Sequence, residues 1–174
     1  MQQTATVSRT SRSPRDLVIS MVVLLVPIFL FVGVYRLLGH DNPPVVDTSG
    51  SFREARAAAF PALSPTPLPG GWHALSSDFR AGQPASVLRV GLRAPGGGVV
   101  QLVESSQDSE SLVADELGAK ARGQGEVDVA GSTWRRYAGE RGLRALVLVE
   151  AGRSVIIVGS AKDKELVQLA GALA

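Results

Sequence analysis

The 174-residue sequence has no cysteine, and aromatic residues make up only 5% of it. The first absence excludes disulfides, thiol catalysis and cysteine-ligated zinc or iron–sulfur centres. It also fits a compartment in which stray thiols would be oxidised. The second leaves few rings for a long, aromatic-lined polysaccharide cleft. Histidine is scarce as well, with only His40 and His73. A proline-rich stretch separates them, so they do not converge as metal ligands. A serine triad would have to use His73, yet none of Ser105, Ser106 and Ser154 sits in a G-x-S-x-G elbow. Gly96-Gly97-Gly98 lacks the lysine and Ser/Thr of a phosphate loop. Gly123-Gln124-Gly125 lacks the third glycine of a dinucleotide fingerprint. No cofactor and no metal are expected.

Concentrated charge of one sign is missing too. The chain carries 18 Lys+Arg and 16 Asp+Glu. Four of the basic residues, Arg9, Arg12, Arg15 and Arg36, flank an apolar run and are opposed there by Asp16 alone. The rest is near neutral. Arg135-Arg136, with Arg141 and Arg144, forms no stripe, so nucleic acid is not an expected partner.

What is present first is the apolar run from Leu17 to Leu38. As a helix it would be about 33 Å long, enough to cross a bilayer. Arg36 stands near its end, Tyr35 near an interface, and Pro27 reads as a local kink. The run exceeds the h-region of a signal peptide, and no A-x-A site follows it. The expectation is therefore an uncleaved transmembrane helix over 17–38, with the lipid bilayer as partner. Residues 1–16 read as a disordered basic cytoplasmic tail, because arginines stay inside. The localisation expected is the plasma membrane, single-pass, with the C-terminal domain extracytoplasmic.

Residues 39–71 read as a linker. Asn42-Pro43-Pro44 blocks helix continuation, and Ser64 to Gly71 is rich in breakers. Between them, 52–60 reads as a short helix capped by Ser49 or Ser51 and stopped by Pro61. From Trp72 the hydrophobic period becomes two. Strands are expected at 72–79, 87–93 and 99–104, with Pro95 to Gly98 as the turn between the last two. A helix over 110–121 follows, capped by Asp108 or Ser109, with Gly118 a weak point inside it. Strands at 126–129 and 133–137 form a hairpin around Ala130-Gly131-Ser132. Those at 144–150 and 154–160 form another around Ala151-Gly152. The runs ALVLV and VIIV predict strands buried on both faces. Leu166, Leu169, Ala170 and Leu173 predict a final helix packed on the sheet. The sum is an α+β domain over 72–174, in the order βββαββββα, with a mostly antiparallel sheet of about seven strands.

The basic tail ending in SPRDLVIS, the apolar run, Pro69-Gly70-Gly71-Trp72, LRVGLRAP with VQLVES, and Gly131-x-x-Trp134 occur in an order that resembles one family. The chain resembles actinobacterial membrane proteins of the domain-of-unknown-function 4245 family, over about Ser13 to Ala174. The resemblance implies an envelope location and no activity. The order of elements is also loosely similar to PsbP/Mog1-type domains, a likeness of fold only.

For function, the expectation is a non-enzymatic binding or interaction module of the cell envelope. Its partner would be an envelope protein or a cell-wall ligand. Trp72, Trp134 and Arg135 are the candidate contacts: two large rings and a cation. An envelope hydrolase is the alternative. It would draw on Glu104, Asp108, Glu110, Asp115 and Glu116, though acids around a helix start also serve as caps. A structural subunit of a membrane complex is the third reading.

Overall fold

The computed structural model describes residues 14–38, 46–65 and 67–173. The chain divides into two compact units, Met1–Asn42 and Pro43–Ala174. The expected tail up to residue 13, and the part of the linker over 39–45 with His40, lie outside the described residues.

The first unit contains helix α1, Pro14–Leu38, with Pro27 inside it. Apolar residues occupy its whole circumference, and rings such as Phe29 and Phe31 are exposed. The expectation of a membrane span over Leu17 to Leu38 needs correction. Among the described residues, no helix is long and apolar enough to cross a membrane. Residues 14–16, expected in the tail, belong to this helix.

The second unit is α+β. Helix α2 (Ser49–Ala57) precedes strands β1 (His73–Arg80), β2 (Val87–Arg93) and β3 (Val99–Ser105). Helix α3 (Ser109–Leu117) then leads to β4 (Arg122–Val129), β5 (Ser132–Ala138), β6 (Arg144–Glu150) and β7 (Arg153–Gly159), and α4 (Asp163–Gly171) follows. The seven strands form one sheet in the order β1-β2-β3-β7-β6-β5-β4, with every pair antiparallel. Two meanders, β1 to β3 and β4 to β7, are thus joined edge to edge by β3 and β7. All seven residues of β7 are buried, as its apolar run requires.

Each sheet face has its own core. On one face α2 and α4 cover Leu88, Val90, Leu92, Leu102, Ile157 and Trp134. On the other, α3 sets Leu112, Val113 and Leu117 against Val103, Val147 and Ile156. At about 25 cal/mol per Å² of apolar surface, burial on both faces is the largest favourable contribution to this fold.

Element ends differ from expectation for local reasons. Helix α2 begins at Ser49, where Asp47 accepts hydrogen bonds from the Ser49 N–H and hydroxyl. It stops before Pro61 because Ala59 takes a left-handed φ of 55°, which lets the Phe60 N–H donate back to the Ala55 carbonyl at 2.9 Å. Helix α3 ends at Leu117, not at residue 121, because Gly118 turns to φ 83°. Strand β4 begins at Arg122, four residues earlier than expected. Gly125 (φ 91°) sits in a bulge between Gly123 and Glu126, where the strand was expected to be broken.

The β3–β7 seam depends on one glycine. A Cβ on Gly159 would stand 2.2 Å from the Val99 carbonyl oxygen and 2.8 Å from the Val100 Cα, both backbone atoms with no room to yield. Gly159→Ala is expected to cost at least about 2 kcal/mol in urea denaturation. A midpoint within about 0.5 kcal/mol of the parent would contradict this account of the seam.

Candidate functional site

Glu104, Ser105, Arg153 and Ser154, four of the five buried polar residues among those described, gather at one end of the sheet. Glu104 is fully buried, on the face covered by α2 and α4. Its Oε2 accepts a hydrogen bond from the Leu63 N–H at 2.8 Å and stands 3.6 Å from Nη1 of Arg153. Arg153 is itself buried, and its other guanidinium nitrogen pairs with Glu150, directly opposite on β6. The cluster leaves two buried atoms, Glu104 Oε1 and Arg153 Nε, without a protein partner among the described residues. Such atoms cost about 1–3 kcal/mol each unless water or a ligand reaches them.

A cavity of about 200 Å³ adjoins this cluster. Leu63, Trp134, Leu148, Ala170 and Leu173 supply most of its apolar wall, and Ser132 and Glu150 its polar part. Ala130, at the β4–β5 turn, completes the lining. Both turn residues have positive φ, 50° at Ala130 and 87° at Gly131, as the tight hairpin demands. The strap over 61–65 brings Leu63 to the cavity wall, and the same residue's N–H holds Glu104.

Burial pushes the Glu104 carboxyl up to about 7; the Leu63 hydrogen bond and the Arg153 charge pull it back only in part, and Glu150 raises it further. Asp108 behaves oppositely. It caps α3 by accepting from the Ser111 and Glu110 N–H groups, which hold it below the usual range. Two further helix acids are engaged elsewhere: Glu116, little exposed, pairs with Arg89 at 2.6 Å, and the exposed Asp115 accepts from Gln107. Of the acids near α3, only Glu104 is fully buried.

The three candidate contacts occupy different places. Trp72 and Trp134 are both buried in the α2/α4-side core. The Trp72 ring N–H donates to the Gln168 side chain of α4 at 3.3 Å, whereas Trp134 lines the cavity. Arg135 is exposed, and as Trp134's neighbour on β5 it points to the opposite face. The structure does not bring the three together. His73 pairs with Arg93, which pairs with Val99, while Ser105 lies opposite Val87 at the far end of β3. Six residues of strand put about 20 Å between that histidine and Ser105 or Ser154. Gly96 to Gly98 form the expected turn, closed by Ala94 N–H to the Gly98 carbonyl at 2.8 Å. Glu165 accepts from Gly96 and Lys162 N–H groups and so clamps this turn to α4. Arg153 was missed from sequence because it lies beside the Ala151-Gly152 turn, before the apolar run.

Residues 9–173 match the family described as "Protein of unknown function (DUF4245)". The chain belongs to that family. No curated protein and no solved structure matches it.

The value for Glu104 sets a pH dependence. It lies above that of an unfolded glutamate, about 4.3, so folding favours the protonated form. The stability this contributes is complete below about pH 4 and is lost as pH rises through about 7. Denaturation free energy should therefore fall between about pH 4 and 7, by up to about 3 kcal/mol from this group. Glu104→Gln should flatten that fall. A variant profile parallel to the parent's would contradict the assignment.

Proposed function

We propose that the second unit is a non-enzymatic binding module that takes a small, mainly apolar group in the cavity beside Trp134. The observation that carries this reading is the cavity itself. It has a large aromatic wall, aliphatic neighbours and two polar groups on its lining, the composition of a ligand site. Its volume is below the roughly 300–1,000 Å³ of drug-sized sites. A short branched chain or one apolar side chain of a partner fits, and a polymer does not.

A cell-envelope location belongs to the same reading, supported by the absence of cysteine. An actinobacterial source and a likeness to PsbP/Mog1-type sandwiches also belong to it; helices on both faces of the sheet support the latter. The hydrolase alternative draws on Glu104, whose carboxyl titrates near 7. Its second named acid, Asp108, is spent on the helix cap, and the carboxylate nearest Glu104, that of Glu150, is held by Arg153.

Titration of the full chain with 3-methylbutanol tests the reading by NMR. Saturable shifts are expected at the methyls of Leu148 and Leu173, and Ala170→Leu, which fills the cavity, should abolish them. Absence of saturable shifts, or a hydrolytic activity lost in Glu104→Gln, would contradict it.

A further inference from the structure

We infer that this cavity selects a small organic ammonium ion with a short apolar body over neutral and anionic molecules of the same shape. The inference rests on the cavity being the ligand site. Four observations converge on it. Glu150 stands in the cavity wall, and its carboxylate is partly exposed, so a ligand can reach it. Behind it lies Glu104, linked to the wall twice: through the Leu63 N–H and through Arg153, which pairs with both carboxylates. One guanidinium against two carboxylates leaves the ionised cluster with an excess negative charge, and Glu104 Oε1 has no protein partner among the described residues.

The third observation is the direction of α4. Ala170, in the last turn of that helix, and Leu173, just past its C-cap Ala172, line the cavity. A helix C-terminus carries a partial negative charge, and the last turn of α4 has no basic residue to offset it. The fourth is Trp134, whose ring attracts a cation held over its face. No Lys or Arg lines the cavity. An anion there would meet Glu150 and the helix end, both of the wrong sign. A neutral molecule would gain only the apolar contact.

The test compares three probes of one shape on the full chain at pH 7.5: 3-methylbutylammonium, 3-methylbutanol and 3-methylbutanoate. The readout is the set of methyl shifts at Leu148 and Leu173, with Trp134 fluorescence as a second signal. The ammonium is expected to bind at least tenfold more tightly than the alcohol, and the carboxylate to give no saturable shift. Glu150→Gln should bring the ammonium to the affinity of the alcohol and leave the alcohol unchanged. Equal binding of ammonium and alcohol to the parent chain, or preference for the carboxylate, would overturn the cation selectivity and leave the cavity reading standing. No saturable binding of any probe would overturn both. The comparison on the parent chain needs no variant, so it holds even if Glu150→Gln fails to fold.

Discussion

The pairing of β3 with β7 is the constraint on which the second unit depends. It joins two meanders that would otherwise be separate three- and four-stranded sheets. It places the most apolar strand at the centre, where α3 covers one face and α4 the other. The close approach at Gly159 is the local condition for that seam. Gly98 serves the neighbouring junction, since a Cβ there would meet the Ala161 backbone at 2.7 Å. Glu165 closes the same junction through the Gly96 and Lys162 N–H groups.

The polar cluster sits at the other end of the seam. Glu104 on β3 and Arg153 on β7 occupy positions that the alternating pattern would fill with apolar residues. Burying such a pair recovers less than apolar packing of the same volume, whereas losing one partner strands a charge. The arrangement is therefore costly for stability alone. It lies behind the cavity wall formed by Leu63 and Glu150, with two buried polar atoms that have no protein partner among the described residues. The strap over 61–65 links both, since Leu63 is at once cavity wall and hydrogen-bond donor to Glu104.

Much of the sheet was legible because period-two alternation and apolar runs state which strands are central. Val87 to Arg93 alternates in burial as its sequence alternates, and the VIIV run of β7 is buried on both faces. Glycine was the main source of error at element ends. Gly118 stops α3, while Gly125 is absorbed into a β4 bulge, and single-residue propensity does not separate these outcomes. The apolar run of α1 was legible as a helix, but its extension to a membrane span was not upheld. Of the site, Trp134 and Glu104 were visible as residues but not as neighbours of one feature. Trp134 and Arg135 had to face opposite ways, since adjacent strand positions do. Arg153 gave no sequence signal, because a cation beside a turn reads as solvated until the register sets it opposite Glu150.

The electrostatic core of this account is most directly measured by following the side-chain carboxyl carbon of Glu104 by NMR across pH. The account predicts a midpoint near 7 in the free protein, moving downward when 3-methylbutylammonium occupies the cavity, because a bound cation favours the ionised carboxylate. A midpoint in the ordinary glutamate range, or one that the cation leaves unmoved, would contradict it.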